Sequence, residues 1–376
     1  MKRFLISFIK PSRFKLIILL LALLVLGFYN FVIIKLTLIH LRSSLSNVTF
    51  FCHDSTPHYE FNVFMVESNA SRPVFDNKEL CAIESVALHN PEAIVHVYSI
   101  NASFERIDLV DKYKNIRLTK FKPEEIFAGS QLDDWWKVNR TKLLTSKWSV
   151  SHLSDLMRLF LLHKYGGYYT DMDTITLRSV KLLIKYSGVG EMDEGKISLG
   201  NGVMIFKKSE PFLEVCLKNF MNSYNPVVWG TNGPMLVLRN LYKYCKTNSL
   251  ADKSIRFDPR RLVVDELNLT RPTDRSSRLF YDETVNSCNI FLFPESFFYT
   301  YPYFFNKHFF EPNYTLLQLA RFKDAYSLHF YSKLTAKHKF EYGSNSMYEF
   351  FARLNCPLTY SCLLYTSPSP RDYCAH

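Results

Sequence analysis

Residues 154–173 read Ser-Asp-Leu-Met-Arg-Leu-Phe-Leu-Leu-His-Lys-Tyr-Gly-Gly-Tyr-Tyr-Thr-Asp-Met-Asp. Apolar residues at helical spacing predict a helix over 154–165, and the pair Gly166-Gly167 predicts its end because glycine tolerates a left-handed cap. The aromatic run that follows predicts a short strand that leads into the Asp-Met-Asp sequence. A helix, a tight turn and a strand ending in acids indicate an α/β fold with a site at the carboxyl end of a sheet.

The two acids one residue apart, Asp171 and Asp173, carry the most chemical information. Carboxylate oxygens suit a hard divalent cation, and two of them can hold a cation that bridges a diphosphate. The spacing alone has little weight, since about one Asp-x-Asp is expected by chance in a chain of this composition. Upstream, Asp155 and Arg158 share one face of the predicted helix, where they form either a ligand-binding pair or an ordinary ion pair.

Three later stretches complete a pattern. They read Asn-Gly-Val-Met-Ile-Phe at 201–206, Tyr-Asn-Pro-Val-Val-Trp-Gly-Thr-Asn-Gly-Pro at 224–234 and Ser-Leu-His-Phe-Tyr-Ser-Lys at 327–333. Together with the acidic segment at 154–173, these stretches make four blocks. The blocks resemble, in the same order along the chain, those of the family of alpha-1,4-galactosyltransferases and alpha-1,4-N-acetylglucosaminyltransferases (glycosyltransferase family 32). The likeness extends over residues 61–357 and is greatest to the galactosyltransferases that act on lactosylceramide.

The resemblance implies a fold and a reaction. The implied fold is the GT-A nucleotide-diphospho-sugar transferase fold, which is Rossmann-like with a mainly parallel sheet. The implied reaction is metal-dependent, retaining transfer of galactose or N-acetylgalactosamine from a UDP-sugar, in alpha-1,4 linkage, to a lactosylceramide-like glycolipid in glycosphingolipid biosynthesis. An alpha-1,4-N-acetylglucosaminyltransferase that acts on O-glycans is the alternative within the family.

Two readings outside these activities stay open at this point. The sequence Asp-Met-Asp-Thr at 171–174 also fits the signature of haloacid-dehalogenase-type phosphatases, although the turn before it and the upstream acid and arginine do not. An inactive sugar-binding homologue would have lost the metal ligands. Assays of UDP release with and without manganese separate the three.

The resemblance also implies roles for individual residues in metal and donor binding. Asp171, Asp173 and His329 would bind Mn²⁺ or another divalent cation, although a buried structural histidine is the simplest interpretation of His329 by itself. The implied donor-binding residues are Asp155, Arg158, Asp171, Asn201 and Gly202.

In the block at 224–234, the resemblance implies roles in catalysis and acceptor binding. Asn232 stands where relatives carry Gln, which would place an amide carbonyl near the anomeric carbon, and a plain turn before a helix is the alternative. Trp229 and Gly230 would line the acceptor site. Trp135, Trp136 and Tyr169 are further candidates to stack on a sugar, with the tandem tryptophans as an acceptor lid.

An apolar run over residues 16–34 precedes the domain. It carries no charge, is long enough to cross a bilayer as a helix and follows basic residues, which predicts a signal anchor with a cytosolic tail over 1–15. A cleaved signal peptide is the alternative. We expect a lumenal stem over 35–59, a catalytic domain over 60–357 and a tail over 358–376 whose last part resembles translated adapter sequence.

The rest of the composition agrees with a lumenal domain and a single-pass type II protein of the Golgi membrane. Eight cysteines without Cys-x-x-Cys spacing favour disulfides over metal ligands, although the spacing does not fix their pairing. Glycosylation sequons begin at Asn47, Asn69, Asn101, Asn139, Asn268 and Asn313.

The net charge of +11 does not indicate nucleic-acid binding, because the basic residues are scattered and part of the excess flanks the membrane segment. The expected partners are the UDP-sugar, the glycolipid and the membrane. Whether the protein forms oligomers with further copies of itself or with other glycosyltransferases stays open. Local patterns predict an alternating start of strands and helices. We expect strands over 61–66, 93–99 and 203–206, and helices over 77–89, 212–224 and 236–244.

Overall fold

The computed structural model describes residues 59–366, except 104–106, 194–196, 260–261 and 263–287. The predicted cytosolic tail and signal anchor, and nearly all of the predicted stem, lie outside the described residues. Among the residues that are described, no helix is both long enough and apolar enough to span a membrane.

A seven-stranded sheet forms the centre of the domain, with strand order β3-β2-β1-β4-β7-β6-β8. Strand β7 is antiparallel to both of its neighbours, and the other pairs are parallel. Strands β5 and β9 form a separate antiparallel pair. The strands are β1 (Phe61–Glu67), β2 (Ala93–Ser99), β3 (Ile116–Lys120), β4 (Gly167–Thr170), β5 (Thr174–Thr176), β6 (Ser187–Asp193), β7 (Ile197–Phe206), β8 (Ile290–Phe293) and β9 (Ser327–His329).

Helices cover both faces of this sheet, and two large buried apolar clusters result, one on each side. The α-helices are α1 (Asn77–His89), α2 (Ile107–Lys112), α3 (Pro123–Phe127), α4 (Asp133–Leu144), α5 (Ser149–Tyr165), α6 (Pro211–Ser223), α7 (Pro234–Tyr244), α8 (Glu295–Phe298), α9 (Leu316–Ala320), α10 (Met347–Asn355) and α11 (Pro357–Thr366). Short 3₁₀ helices span Tyr303–Phe309 and Arg321–Asp324. The mainly parallel, GT-A-like α/β fold expected from the sequence is confirmed.

The first β-α-β unit has the predicted bounds to within one residue because its signals are local. Asp76 caps α1 by accepting the backbone N–H groups of Lys78 and Glu79 at 2.9 and 3.0 Å, and the Glu79 side chain accepts the Asp76 N–H at 2.9 Å. This reciprocal capping box fixes the start of the helix. Strands β1 and β2 then pair in parallel along their whole length, from Phe61 opposite Ala93.

Helix α5 leads directly into the central strand, β4. It begins five residues earlier than predicted and ends at Gly166, whose φ is +69° and whose N–H donates to the Leu162 carbonyl at 2.8 Å. A Cβ on Gly166 would run into the Lys208 backbone, and one on Gly167 would run into the Asn62 carbonyl. The glycine pair therefore both ends the helix and lets β4 enter the sheet beside β1.

Two disulfides confirm the expectation for the cysteines that form them. Cys81 on α1 bonds to Cys356, and Cys245 bonds to Cys288. Helix α11 continues through Thr366 and so crosses the domain boundary predicted at residue 358. Residues 367–376, the rest of that proposed tail, lie outside the described residues.

Candidate functional site

The antiparallel strand β7 brings its glycine-containing segment to the end of β4. Thr170 pairs with Val203, and just beyond this pair the Asp171 N–H donates to the Gly202 carbonyl at 2.8 Å. Asn201 and Gly202, predicted from the sequence as donor-site residues, therefore lie directly beside Asp171. This position is the carboxyl end of β4, where α/β sheets bind ligands.

The two-stranded sheet of β5 and β9 positions His329, the third predicted metal ligand. Strand β9 pairs with β5 so that His329 lies opposite Thr174. The His329 Nε2 atom then lies 3.0 Å from Asp173 Oδ1. The loop after β9 fixes the other side of the same carboxylate, because the Ser332 N–H donates to Asp173 Oδ2 at 2.8 Å.

Asp171, Asp173 and His329 together offer donor atoms that all lie within 4.8 Å of one another. The backbone leaves room there, since a Cβ on Gly202 would stand 2.7 Å from Asp171 Oδ2 and 3.2 Å from His329 Nε2. Within the described part of the chain, the buried Nδ1 of His329 has no hydrogen-bond partner. Two carboxylates and an imidazole around such a space fit a divalent cation of the manganese type.

The charges in this cluster differ because their surroundings differ. Burial raises the pKa of Asp171, and the charge of Arg158 opposes this only in part. Burial would also raise the pKa of Asp173, but His329 and the Ser332 hydrogen bonds outweigh it and lower the pKa to about 2. For His329, the negative charge of Asp173 outweighs burial and raises the pKa. Asp173 and His329 therefore form an ion pair, and a cation bound between them would replace the imidazole proton.

Arg158 joins the two predicted donor-site acids. Its Nη2 lies 3.1 Å from Asp171 Oδ1, and its Nε lies 3.6 Å from Asp155 Oδ1. The same guanidinium donates to the Asn201 carbonyl at 2.5 Å and to the Ser154 hydroxyl at 2.8 Å. Only 5% of Arg158 is exposed. In this arrangement the arginine orients the carboxylates around it, and a direct contact with the donor stays a prediction.

Tyr169 belongs to this network and does not form a surface for sugar stacking. Its hydroxyl donates to Asp171 Oδ1 at 2.8 Å, and its buried ring lies 4.5 Å from the Arg158 guanidinium. The sequence identified it only as an aromatic ring next to the acids. Because residues alternate along a strand, the side chain two positions before Asp171 lies on the same face and can hold its carboxylate.

The loop over residues 224–234 packs against helix α5. The Tyr224 hydroxyl lies 3.1 Å from His152 Nδ1, and the Trp148 indole donates to the Val227 carbonyl at 3.0 Å. At the other end of the loop, a Cβ on Gly233 would stand 2.5 Å from the Asp155 carboxylate. The loop that contains Trp229 and Gly230 therefore packs against Asp155, a predicted donor-binding residue.

Asn232 closes this loop on itself. Its Oδ1 accepts the Asn225 N–H at 3.0 Å, and its Nδ2 donates to the Asn225 carbonyl at 2.6 Å. The side chain is fully buried. Both ends of the amide are thus used within the loop, which favours the turn interpretation, and the catalytic role assigned from the sequence stays a prediction.

The tandem tryptophans do not form a lid. Trp136 is 2% exposed and packs edge-on against Phe127 in the core. Trp135 packs against Phe220, and its indole donates to the Met221 carbonyl at 3.0 Å. The prediction was wrong because composition cannot tell which rings of an aromatic-rich chain are buried. Trp229, by contrast, is 53% exposed.

Sequence reasoning missed two residues of the site. Tyr299, which follows α8, accepts the Val203 N–H at 3.0 Å through its hydroxyl, and its ring lies 5.4 Å from the His329 ring. No motif marks it. Ser332 lies in the block at 327–333, whose informative residue in the sequence is His329. Its contribution is a backbone N–H, which sequence patterns do not show.

Comparisons with known proteins match these same segments. A family described as the glycosyltransferase sugar-binding region containing the DXD motif matches residues 76–189. A second family, described as the alpha 1,4-glycosyltransferase conserved region, matches residues 205–265 and 269–363. The chain belongs to the alpha-1,4-glycosyltransferase family. The first match contains Asp155, Arg158, Asp171 and Asp173, and the second contains Asn232 and His329. The family expected from the four blocks is therefore confirmed, and the phosphatase alternative is wrong.

Two human proteins are among the curated relatives that are similar to this chain. The human lactosylceramide 4-alpha-galactosyltransferase is 30% identical over 212 residues, which cover 53% of this chain and 56% of that protein. The human alpha-1,4-N-acetylglucosaminyltransferase is 25% identical over 300 residues, which cover 76% of this chain and 75% of that protein. The chain thus spans little more than half the length of the galactosyltransferases that it matches.

Solved structures of glycosyltransferases are similar at a distance. The galactosyltransferase LgtC in complex with donor and acceptor sugar analogues is 15% identical, with a TM-score of 0.32 over 83% of this chain and 98% of that one. The PaToxG glycosyltransferase is 16% identical, with a TM-score of 0.36 over 56% of this chain and 74% of that one.

Proposed function

We propose that the protein is a cation-dependent, retaining glycosyltransferase that moves galactose or N-acetylgalactosamine from a UDP-sugar to a glycolipid in alpha-1,4 linkage. The observation that carries this proposal is the cluster of Asp171, Asp173 and His329, whose donor atoms lie within 4.8 Å of one another. The two acids come from the matched sugar-binding region, and the histidine comes from the matched alpha-1,4 region. The name of the lactosylceramide 4-alpha-galactosyltransferase supports galactose and a glycolipid acceptor, and both names support the alpha-1,4 linkage.

The chemistry of the cluster supports transfer from a nucleotide diphosphate. A divalent cation bound here supplies Lewis-acid stabilisation of the negative charge that develops on the departing diphosphate. Asp173 is suited to direct coordination because its Oδ1 lies 3.0 Å from His329 Nε2, while the Ser332 N–H holds its Oδ2 at 2.8 Å. Asp171 is held by Tyr169 and Arg158, so its carboxylate keeps one orientation between the cation site and the donor.

A second candidate within the family transfers N-acetylglucosamine to O-glycans. It is favoured by the alignment with the human alpha-1,4-N-acetylglucosaminyltransferase, which covers more of this chain than the galactosyltransferase alignment does. The two activities differ at the 2-substituent of the donor sugar, which only a few contacts in the pocket distinguish.

One donor and acceptor panel tests both candidates. Purified full-length protein is given UDP-galactose, UDP-N-acetylgalactosamine or UDP-N-acetylglucosamine with lactosylceramide or an O-glycan, and UDP release is measured with and without Mn²⁺. We expect release only with the cation, and Asp173→Asn should abolish it. Asp324→Asn, at an exposed acid on the surface, is the matched control and should have no effect. Transfer that survives chelation of all divalent cations would refute the proposal.

We further propose that residues 16–34 anchor the protein in the Golgi membrane with the domain in the lumen. The support is the apolar run with basic residues before it, together with the sequons downstream. Protease added to sealed Golgi vesicles should leave the domain intact and cleave only the N-terminal tail. Digestion of the domain in sealed vesicles would reverse the proposed topology.

A further inference from the structure

Two indole rings and the Lys333 ammonium group meet at the edge of the candidate site, where the Lys147 ammonium group also lies 4.9 Å from the centre of the Trp148 ring. The Lys333 Nζ lies 4.0 Å from the centre of the Trp148 ring and 5.3 Å from the centre of the Trp229 ring. Trp148 directly precedes α5, Trp229 lies in the 224–234 loop, and Lys333 follows β9. We call these three residues the tryptophan clamp.

The clamp lies next to the cation site along the chain. Lys333 directly follows Ser332, whose N–H holds the Asp173 carboxylate at 2.8 Å. The Trp148 indole is itself fixed, because its N–H donates to the Val227 carbonyl at 3.0 Å. The Trp148 ring is therefore held in place, and Lys333 is bonded in the chain to Ser332, which holds the predicted metal ligand Asp173.

The surroundings of the clamp are unusually apolar for a surface. Trp229 is 53% exposed, and its loop neighbours Val227 and Val228 are 75% and 47% exposed. Exposed apolar residues that lie together next to a catalytic centre commonly mark a binding surface. Tryptophan rings bordered by hydrogen-bonding groups are suited to the apolar face of a sugar.

We propose that Trp148 and Trp229 hold the acceptor sugar ring, and that Lys333 fills the space between their ring faces until the acceptor arrives. This inference rests on the proposed function and adds to it the residues that bind the acceptor. Among the described residues, the Lys333 ammonium group is held by cation–π contacts alone. Such a lysine is easily displaced, since its long stem turns freely. Once displaced, its ammonium group donates hydrogen bonds to acceptor hydroxyls.

The acceptor dependence of transfer tests the clamp. Trp148→Ala, Trp229→Ala and Lys333→Met are assayed with lactose as a soluble acceptor over a range of concentrations. We expect the acceptor KM to rise roughly tenfold in each tryptophan variant and by a smaller factor in Lys333→Met, with the donor KM within about twofold of wild type. Trp135→Phe, which changes an indole packed against α6, is the control and should leave the acceptor KM unchanged.

A binding measurement separates the clamp from the proposed reaction. In the presence of UDP and Mn²⁺, lactose should change the intrinsic tryptophan fluorescence of the wild type, and Trp148→Phe with Trp229→Phe should remove that change. A wild type that binds lactose but transfers no sugar would refute the proposed function and leave the clamp standing. Unchanged acceptor KM values in both alanine variants, or a fluorescence response that persists in the double variant, would overturn the clamp.

Discussion

Replacing Gly202 by Ala should weaken cation binding while leaving the fold intact. A Cβ at this position would stand 2.7 Å from Asp171 Oδ2, and ordinary contact begins at 3.4 Å, so the carboxylate must move by roughly 0.7 Å. The same Cβ would press on His329 Nε2 and the Tyr299 hydroxyl, each at 3.2 Å. The added methyl group therefore disturbs two of the three predicted ligands at once.

The expected size of the effect follows from these contacts. Disturbing the groups that orient metal ligands typically lowers metal affinity about 10- to 100-fold. Overpacking by one methyl group costs about 1–3 kcal/mol of the free energy of unfolding. We therefore expect a Mn²⁺ dissociation constant at least about tenfold higher, measured by calorimetric titration, and a modest fall in the urea midpoint.

A glycine on the neighbouring strand supplies the control. Gly188→Ala, on β6, would press on the Phe291 carbonyl and on the Phe293 ring, neither of which belongs to the candidate site. It should lower stability at least as much and change Mn²⁺ affinity little. Equal losses of affinity in Gly202→Ala and Gly188→Ala, or no loss in Gly202→Ala, would refute the assignment of the cation site.

Three further changes have defined outcomes. Arg158→Met leaves the buried carboxylate of Asp155 and the partly exposed carboxylate of Asp171 without their positive partner. The free energy of unfolding should therefore fall by about 3–5 kcal/mol in urea titrations at neutral pH, and a loss below about 1 kcal/mol would contradict the network around Arg158. Replacing Cys245 and Cys288 together by Ala removes a cross-link over 43 residues, and chemical denaturation should show a loss of up to about 4 kcal/mol. Asn232→Ala leaves two backbone groups of its loop unpaired and should cost about 1–3 kcal/mol. A stable Asn232→Ala protein with strongly reduced turnover would instead restore the catalytic role.

Local signals explain which parts of the fold were predictable. The capping box at Asp76 and the glycine pair at 166–167 act within a few residues of themselves, so the start of α1 and the end of α5 were predicted nearly to the residue. Strand β7 and helix α5 both begin earlier than predicted because their first residues are polar or mixed, and tertiary packing extends them.

The site depended more on contacts that are distant in the sequence. The acids at 171 and 173 could be predicted because a motif places them together, and His329 could be predicted only because it lies in an ordered family block. The hydroxyl of Tyr299, the N–H of Ser332 and the meeting of Trp148 with Lys333 leave no pattern in the chain. They arise only when separate loops converge at one edge of the sheet.

The pairing of β5 with β9 has a consequence for biosynthesis. The loop that fixes the Asp173 carboxylate lies 159 residues further along the chain, at Ser332. While the ribosome is still making this part, the nascent domain holds an acidic pair that lacks its imidazole and an edge strand that lacks its partner. Under the proposed function, the cation site is complete only after β9 emerges, and from that moment a bound ion would favour the folded state by mass action. A prematurely terminated product that lacks β9 would lack the histidine of the proposed cation site and any stabilisation that a bound ion would confer.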